Sequence, residues 1–165
     1  MIELLVFDVD GTLTNGDIMY SSSGEEFKTF NVNDGFGIVF WTKYLGKKAA
    51  IITGRNSVIV EKRAKELNIS HLYQGVKNKL EVLEEILRKE SLELSQVAAI
   101  GDDLNDVRML KSVGISFAPQ NAIQLVKDSV NVVCEKNGGS GAAREMIDYI
   151  LKKDGLEEEF LNAWV

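Results

Sequence analysis

The sequence is nearly without cysteine, histidine and proline. Its 165 residues include a single cysteine, Cys134, a single histidine, His71, and one proline. One cysteine cannot form a disulfide within the chain, which is typical of proteins in a reducing compartment. A soft-metal centre needs several cysteine or histidine ligands, and a nucleophilic thiol needs a basic partner. We therefore expect both residues to pack in or beside apolar strands.

The sequence also lacks an excess of positive charge and a long apolar run. It carries 19 Lys and Arg against 25 Asp and Glu, which gives a net charge of −6. An acidic chain disfavours nucleic acid and anionic membranes as partners. No apolar run is long enough to span a bilayer, and no basic-then-apolar leader precedes the first apolar segment. We expect a cytoplasmic protein that binds neither nucleic acid nor a membrane.

Short apolar segments alternate with segments of helical periodicity along most of the chain. The apolar segments predict strands near residues 3–9, 48–53, 70–75, 96–102, 114–119 and 130–135. The periodic segments predict helices at 58–67, 79–90, 104–113 and 122–129. Strands that are apolar on both faces and alternate with helices favour an α/β fold with a doubly wound, mainly parallel sheet. The length predicts that residues 1–165 form one domain.

Two segments depart from this alternation. Residues 17–32 hold two short alternating stretches around a Ser-Ser-Ser-Gly turn, which predicts a β-hairpin over the ligand-binding edge of the sheet. A surface hairpin without a role is the alternative. Residues 154–165 are acidic and then apolar, so this tail either frays or docks on this or another subunit through its aromatic and leucine side chains.

Polar side chains follow the predicted strands at the edge where parallel sheets bind ligands. Asp8 and Asp10 end the first strand and leave it on the same side, because side chains alternate along a strand. The later strand ends carry Thr53-Gly54-Arg55, then Lys79, then Asp102 and Asp103. Clustered carboxylates are costly unless a cation balances them, and oxygen ligands suit Mg²⁺.

The spacing of Asp8 and Asp10 suits phosphoryl transfer. One carboxylate can attack phosphorus while its neighbour protonates the leaving oxygen and later takes a proton from water. Thr53 would donate to the phosphoryl oxygens, and Lys79 would offset their charge. The pattern therefore predicts a phosphatase that acts through an aspartyl-phosphate.

Four segments, DVDGTLT, ITGR, the lysine of NKLEVL and GDDLND, resemble in order and spacing the motifs of the haloacid dehalogenase superfamily. The resemblance implies that Asp8 is the nucleophile, Asp10 the general acid/base, Thr53 the phosphate binder and Lys79 the phosphate-balancing lysine. It also implies that Asp8, Asp102 and the backbone carbonyl of Asp10 hold Mg²⁺.

Two acids of the GDDLND segment have open roles. Asp103 belongs to the candidate metal residues, and support of the metal's waters or of Lys79 suits it better than direct ligation. Asp106 is either a functional acid or a structural acid at a helix end.

Members of this superfamily usually carry a cap domain, and here there is room only for the predicted hairpin. The patterns TNGDIMYSSSGEEFKTFNVNDGFGI and GGSGAAREM further resemble the capless phosphatases of 3-deoxy-D-manno-octulosonate (KDO) 8-phosphate, which serve lipopolysaccharide biosynthesis. This resemblance implies a homotetramer with the hairpins at the subunit interface and the C-terminal tails near adjacent sites. Asn33 and Ser140 stand where basic residues are expected, so a phosphatase of another nine-carbon, sialic-acid-like sugar phosphate is the alternative.

Further residues are candidates for binding a sugar phosphate. Gly54 and Arg55 directly follow Thr53, which favours a substrate contact, although Arg55 could be a surface residue at a helix start. Lys28 on the hairpin and Arg144 near the chain end are candidates for a sugar carboxylate. The glycines of the GGSG segment are expected to provide positive φ before the last helix.

A receiver-type signalling domain is the alternative from another class of proteins. It is also a small doubly wound domain with an acid cluster, Mg²⁺ and a phospho-accepting Asp. Such a domain carries an adjacent acid pair on its first strand and a lone acceptor Asp on its third. Here the first strand ends in Asp-x-Asp and the third ends without Asp, which favours the phosphatase.

Overall fold

The computed structural model describes residues 1–165 and contains one six-stranded sheet and one hairpin. The strands are β1 (Leu4–Phe7), β2 (Met19–Tyr20), β3 (Glu26–Phe27), β4 (Lys48–Ile52), β5 (His71–Tyr73), β6 (Val97–Ile100), β7 (Ile115–Ala118) and β8 (Val132–Val133). The large sheet has the order β5-β4-β1-β6-β7-β8, and every pairing in it is parallel. The carboxyl ends of its strands therefore share one edge.

Seven α-helices accompany these strands. They are α1 (Val32–Val39), α2 (Val58–Glu66), α3 (Lys79–Glu90), α4 (Val107–Leu110), α5 (Gln124–Lys127), α6 (Ala142–Asp154) and α7 (Glu157–Asn162). Helix α1 continues into a π-helical turn, Phe40–Tyr44. None of the helices combines the length and the apolar character that a bilayer crossing requires.

Two hydrophobic cores lie on opposite faces of the sheet. Leu5 and Phe7 of β1 pack in the core that includes residues of α1, α2 and α6. Leu4 and Val6 pack in the core formed with α3, α4 and α5. All four residues are fully buried, which explains why the strand is apolar throughout. The doubly wound, parallel α/β architecture is confirmed.

Two predicted helices are shorter in the structure than the periodicity indicates. The segment 104–113 forms a 3₁₀ turn over Leu104–Asp106 and then the single turn of α4, because side chains of its acids bond to backbone N–H groups there. The segment 122–129 forms a helix only from Gln124, since Ile123 is extended and its N–H donates to the carbonyl of Asp102. Both shortened segments border the carboxyl edge of the sheet.

The hairpin and the tail complete the fold. Strands β2 and β3 are antiparallel, with Met19 opposite Phe27, and no cap domain is present. The tail forms α7 and docks on its own chain, where the ring centroid of Phe160 lies 4.6 Å from that of Phe40. Trp164 lies 4.6 Å from the ring of Phe36. Of the two alternatives for the tail, docking is the one observed.

Candidate active site

The central strands bring three polar residues to one place. β1 lies between β4 and β6 in the sheet, so Asp8, Thr53 and Asp102 follow neighbouring strand ends. Asp8 and Thr53 are 6% and 2% exposed, although both are polar. Buried polar side chains require partners or a ligand, so this edge is the candidate site.

Lys79 is the most deeply buried cation at this edge. It is the first residue of α3, and its side chain is 0% exposed. Its Nζ donates to Oδ1 of Asp8 at 2.5 Å and to Oδ1 of Asp106 at 2.6 Å. Burial alone would lower the pKa of Lys79, but the two carboxylates hold the pKa above its ordinary value. The lysine is therefore a fixed cation.

Asp106 joins the lysine to the loop after β6. Its second oxygen, Oδ2, accepts from the backbone N–H groups of Asp102 and Asp103 at 3.1 and 3.2 Å. Asp103 instead is exposed and accepts from the N–H of Leu104 at 2.7 Å. The expected support of Lys79 by Asp103 is thus wrong, because Asp106 holds that position. Asp106 takes part in the cap of the turn after β6 and also contacts Lys79, so its position agrees with both roles expected for it.

Three carboxylates come close enough to share a cation. Asp8, Asp102 and Asp106 each offer an oxygen within a set whose members lie within 4.8 Å of one another. Asp106 is already occupied by Lys79 and two N–H groups, which leaves oxygens of Asp8 and Asp102 for a cation. Thr12 Oγ1 orients Asp102 by donating to its Oδ1 at 3.0 Å.

The charges of this set are not balanced by the protein alone. Desolvation raises the pKa of Asp8 well above its ordinary value. The attraction of Lys79 opposes this rise, and repulsion from Asp106 and Asp102 adds to it. Desolvation and repulsion from Asp106 raise the pKa of Asp102 to about 6. A hard divalent cation on these oxygens would relieve both effects, so the residues fit Mg²⁺.

Asp10 points to the hairpin and is not a member of this carboxylate set. Its Oδ1 accepts a hydrogen bond from Nζ of Lys28, whose side chain is 2% exposed. The same ammonium lies 3.3 Å from Oε1 of Glu26. The structure thus places the ammonium of Lys28 against the carboxylate of Asp10.

Arg55 is also joined to the hairpin. Its Nη2 donates to the hydroxyl of Tyr20 at 3.1 Å and to Oε1 of Glu26 at 3.2 Å. Gly54 beside it is exposed at the end of β4. Arg55 therefore bridges the end of β4 and the hairpin, whereas a Cβ on Gly54 would face Asn105 and Val76.

Arg144 lies in a different cleft. Its Nε donates to Asp148 at 2.7 Å, and its guanidinium lies 4.9 Å from the ring centroid of Phe160. The open cleft that it lines, of about 710 Å³, also includes Asn33 and Ser140. The structure groups Arg144 with the two residues that depart from the resemblance, and not with Asp8.

The loop after β1 has a support that the sequence did not indicate. Asn121 donates through Nδ2 to the carbonyl of Gly11 at 3.0 Å and accepts through Oδ1 from the N–H of Gly138 at 2.6 Å. A Cβ on Gly138 would lie 1.9 Å from the carbonyl oxygen of Gly11. Close approach, not positive φ, therefore explains Gly138, whereas Gly139 and Gly141 do have positive φ.

The single cysteine and histidine lie outside the site. Cys134 is buried, and desolvation raises the pKa of its thiol to about 12, which excludes a thiolate nucleophile at neutral pH. His71 is half-buried on β5, and its Nε2 lies 2.7 Å from Oε1 of Glu90. The expectation that both residues pack beside strands is confirmed.

The fold and the sequence place the chain in a known family. A family model of haloacid dehalogenase-like hydrolases matches residues 43–146. The chain belongs to the haloacid dehalogenase-like hydrolases. The predicted family and its hydrolytic class of activity are therefore confirmed.

Within this family, named relatives share one activity. The chain is 42% identical over 159 residues to the 3-deoxy-D-manno-octulosonate 8-phosphate phosphatase KdsC of Escherichia coli K12. The matched region covers 96% of this chain and 84% of that protein. The Moraxella catarrhalis enzyme of the same name has been solved with a magnesium ion, a phosphate ion and KDO. It is 40% identical, with a TM-score of 0.95 over 99% of this chain and 94% of that chain. A cobalt-bound Haemophilus influenzae phosphatase is 36% identical, with a TM-score of 0.88 over 93% and 90%.

Proposed function

We propose that this protein hydrolyses KDO 8-phosphate to KDO and inorganic phosphate, as a step of lipopolysaccharide biosynthesis. The observation that carries the proposal is the buried contact of Asp8 with Lys79 at the edge where the Asp-x-Asp loop, Thr53 and Asp102 meet. The named relatives support the identity of the sugar. A chain with this site performs phosphoryl transfer, and the resemblance to the relatives specifies the ester.

In the first step, a carboxylate oxygen of Asp8 attacks phosphorus in line with the ester oxygen. The new bond joins Asp8 to phosphorus while the bond from phosphorus to the sugar oxygen breaks. Asp10 gives its proton to that oxygen, so the sugar leaves as an alcohol. Lys79 and the Thr53 hydroxyl bind the non-bridging oxygens and stabilise their charge.

In the second step, water attacks the phosphorus of the aspartyl-phosphate. Asp10 now takes a proton from that water, and the bond between phosphorus and Asp8 breaks. Inorganic phosphate leaves, and both carboxylates return to their initial states. Lys79 remains paired with Asp106 throughout, so the ammonium of Lys79 stays in place when Asp8 is phosphorylated.

We propose that Asp8, Asp102 and the carbonyl of Asp10 hold Mg²⁺, with Asp103 acting on the metal's waters. Bound Mg²⁺ would neutralise phosphoryl charge and orient the ester for in-line attack. Asp102 is the residue of this chain that fits the role best, because Thr12 orients its carboxylate and its charge lacks a cationic partner. Gly54, Arg55, Lys28 and Arg144 stay proposed substrate contacts.

We further propose that residues 1–165 act as one domain in a cytoplasmic homotetramer with the hairpins at the subunit interface. The hairpin supports this assembly through large apolar residues that are 45% to 57% exposed, namely Ile18, Met19, Tyr20 and Phe27. Because side chains alternate along a strand, the cross-strand neighbours Met19 and Phe27 share one face of the hairpin, and an exposed apolar pair of this kind marks a protein contact. The buried, unpaired Cys134 agrees with a reducing compartment.

Phosphate release from a panel of sugar phosphates tests the proposed activity. With Mg²⁺, wild type is expected to hydrolyse KDO 8-phosphate selectively, and Asp8→Asn is expected to lose at least about 10⁴-fold of that activity. Circular dichroism establishes that the variant is folded. Asp17→Asn is the matched control, because Asp17 is exposed and its carboxylate contacts only its neighbour Asn15.

The other outcomes of the panel have distinct meanings. Selective turnover of a nine-carbon acid sugar phosphate would support the mechanism but reject KDO 8-phosphate as the substrate. The cleft with Asn33 and Ser140 would then be the expected determinant of specificity. A stable phosphoprotein without phosphate release would contradict the phosphatase and favour a signalling domain.

A further inference from the structure

The hairpin delivers a buried cation to the residue proposed as the general acid/base. Lys28 follows β3, and its ammonium, with a side chain only 2% exposed, contacts the carboxylate of Asp10. A buried ammonium is costly unless carboxylates pair with it, and Asp10 and Glu26 are the two partners present. Lys28 is therefore held in this position by both partners.

The carboxylate of Asp10 has few other constraints. It stands in the loop after β1, outside the carboxylate set of Asp8 and Asp102, and Lys28 is the side chain to which it bonds. A carboxyl group that exchanges protons with a leaving oxygen and then with water must be held within hydrogen-bond reach of both. A single fixed donor on one oxygen leaves the second oxygen available for that exchange.

Glu26 and Arg55 fix the lysine in turn. Glu26 lies 3.3 Å from Nζ of Lys28 and 3.2 Å from Nη2 of Arg55, and Arg55 also reaches Tyr20. Although partial desolvation opposes ionisation, the Arg55 hydrogen bond and the charge of Lys28 hold the pKa of Glu26 below its ordinary value. The chain of charges therefore runs from the end of β4 across the hairpin to Asp10.

We infer that Lys28 is a positioning residue that holds the Asp10 carboxyl group for proton transfer to the leaving oxygen, with Glu26 anchoring Lys28. This inference rests on the proposed roles of Asp8 and Asp10. It differs from a sugar contact because it predicts an effect on esters that carry no sugar and no carboxylate. The hairpin then contributes to proton transfer as well as to substrate binding.

Leaving-group dependence tests this inference. A p-nitrophenolate leaves without a proton, whereas an alkoxide needs one, so loss of proton donation affects propyl phosphate more than p-nitrophenyl phosphate. The value of kcat/KM depends only on the steps up to departure of the leaving group. Hydrolysis of the aspartyl-phosphate, the second step, therefore does not affect it. We expect Lys28→Met to raise the aryl-to-alkyl ratio of kcat/KM by on the order of 10-fold or more, and Asp10→Asn to raise it further.

Three further variants sharpen the measurement. Lys28→Arg should give a ratio between those of wild type and Lys28→Met. Glu26→Gln should also raise the aryl-to-alkyl ratio, but by less than Lys28→Met. Lys62→Met is the matched control, because Lys62 lines the same cavity beside the hairpin, is exposed, and makes no contact with Asp10. Glu26→Gln also keeps the test available if Lys28→Met does not fold.

Two results would overturn the inference. If Lys28→Met keeps the wild-type ratio and only raises KM for KDO 8-phosphate, Lys28 is a sugar contact alone. If Asp10→Asn also leaves the ratio unchanged, the proposed role of Asp10 fails together with the inference. Failure of wild type to hydrolyse KDO 8-phosphate, with propyl phosphate still hydrolysed, rejects the proposed sugar, and the ratio still decides the role of Lys28.

Discussion

The floor of the candidate site and the hairpin beside it are stabilised in opposite ways. In the floor, the side chains of Lys79 and Asp106 are fully buried and bonded to each other. Lys79 also contacts Asp8, and Asp106 also accepts from two backbone N–H groups. The hairpin consists of two two-residue strands, and Met19 and Phe27 on it are about half exposed. The comparison teaches that the polar groups of the floor find their partners within one chain, whereas the hairpin leaves apolar side chains exposed, as the proposed subunit interface requires.

Removal of Asp106 is expected to have the largest effect on the floor. Asp106→Ala leaves a buried ammonium with one partner and two N–H groups without an acceptor, which should cost roughly 3–5 kcal/mol of unfolding free energy. Urea denaturation measures the loss. Asp103→Ala, in the same segment, removes only an exposed cap and should cost about 1 kcal/mol. Equal losses of unfolding free energy for the two variants would contradict the view that Asp106, and not Asp103, supports Lys79.

Mg²⁺ should stabilise the floor and leave the hairpin unaffected. At a hundred times its Kd, the ion should add about 2.7 kcal/mol to the unfolding free energy. Without metal, the raised pKa values of Asp8 and Asp102 mean that the folded state binds more protons than the unfolded state. Their contribution to stability therefore falls as the pH rises from the ordinary aspartate range through about 6.

Thermal unfolding at two pH values measures this linkage. The shift in Tm on adding Mg²⁺ should be larger at pH 7.5 than at pH 5, because protons compete with the ion for Asp8 and Asp102 at the lower pH. Asp102→Asn should remove most of the shift. A shift of equal size at both pH values would show that the ion binds elsewhere.

Close packing between two loops gives a smaller predicted effect. A Cβ at position 138 would overlap the backbone of Gly11, so Gly138→Ala should cost about 1–3 kcal/mol of unfolding free energy and lower kcat. Ser140→Ala is the control for stability, since Ser140 is exposed and donates only its backbone N–H to Asn137. Unchanged stability of Gly138→Ala would mean that the two loops separate easily.

Changes on the hairpin face should alter assembly but hardly alter folding. Met19 and Phe27 are cross-strand neighbours, and replacing both with serine should abolish self-association measured by sedimentation. Such surface substitutions should change the unfolding free energy of the subunit by no more than about 0.5 kcal/mol. Leu125→Ser, on an equally exposed residue of α5, serves as the control. An oligomer that survives the double substitution would exclude this face as the interface.

The sequence predicts the sheet and the location of the site because both depend on local patterns. Apolar runs define the strands, and strand ends in a parallel sheet meet at one edge, which places Asp8, Thr53 and Asp102 together. The helix from Lys79 to Glu90 has the predicted bounds, since its apolar residues follow helical spacing throughout. The local sequence pattern and the order of the elements are enough to predict the sheet, this helix and the location of the site.

The remaining features depend on contacts between distant residues. Whether Asp103 or Asp106 reaches Lys79 is decided by the 3₁₀ turn after β6, whose periodicity resembles an ordinary helix. The contact of Lys28 with Asp10 depends on how the hairpin folds back, and two-residue strands leave little pattern to indicate it. The helix α7 depends on aromatic packing against α1, which periodicity within the tail does not indicate.

The bonds of Asn121 have a consequence for how the protein acquires activity during folding. Its amide joins Gly11 to Gly138, residues contributed from near the two ends of the chain, and the bond to Gly11 spans 110 positions. Contacts of such long range form late, because the loop between them must first be closed. During refolding, helical circular dichroism should therefore recover before enzymatic turnover. During synthesis, a ribosome must deliver the chain beyond Gly138 before the loop that bears Asp10 is fixed.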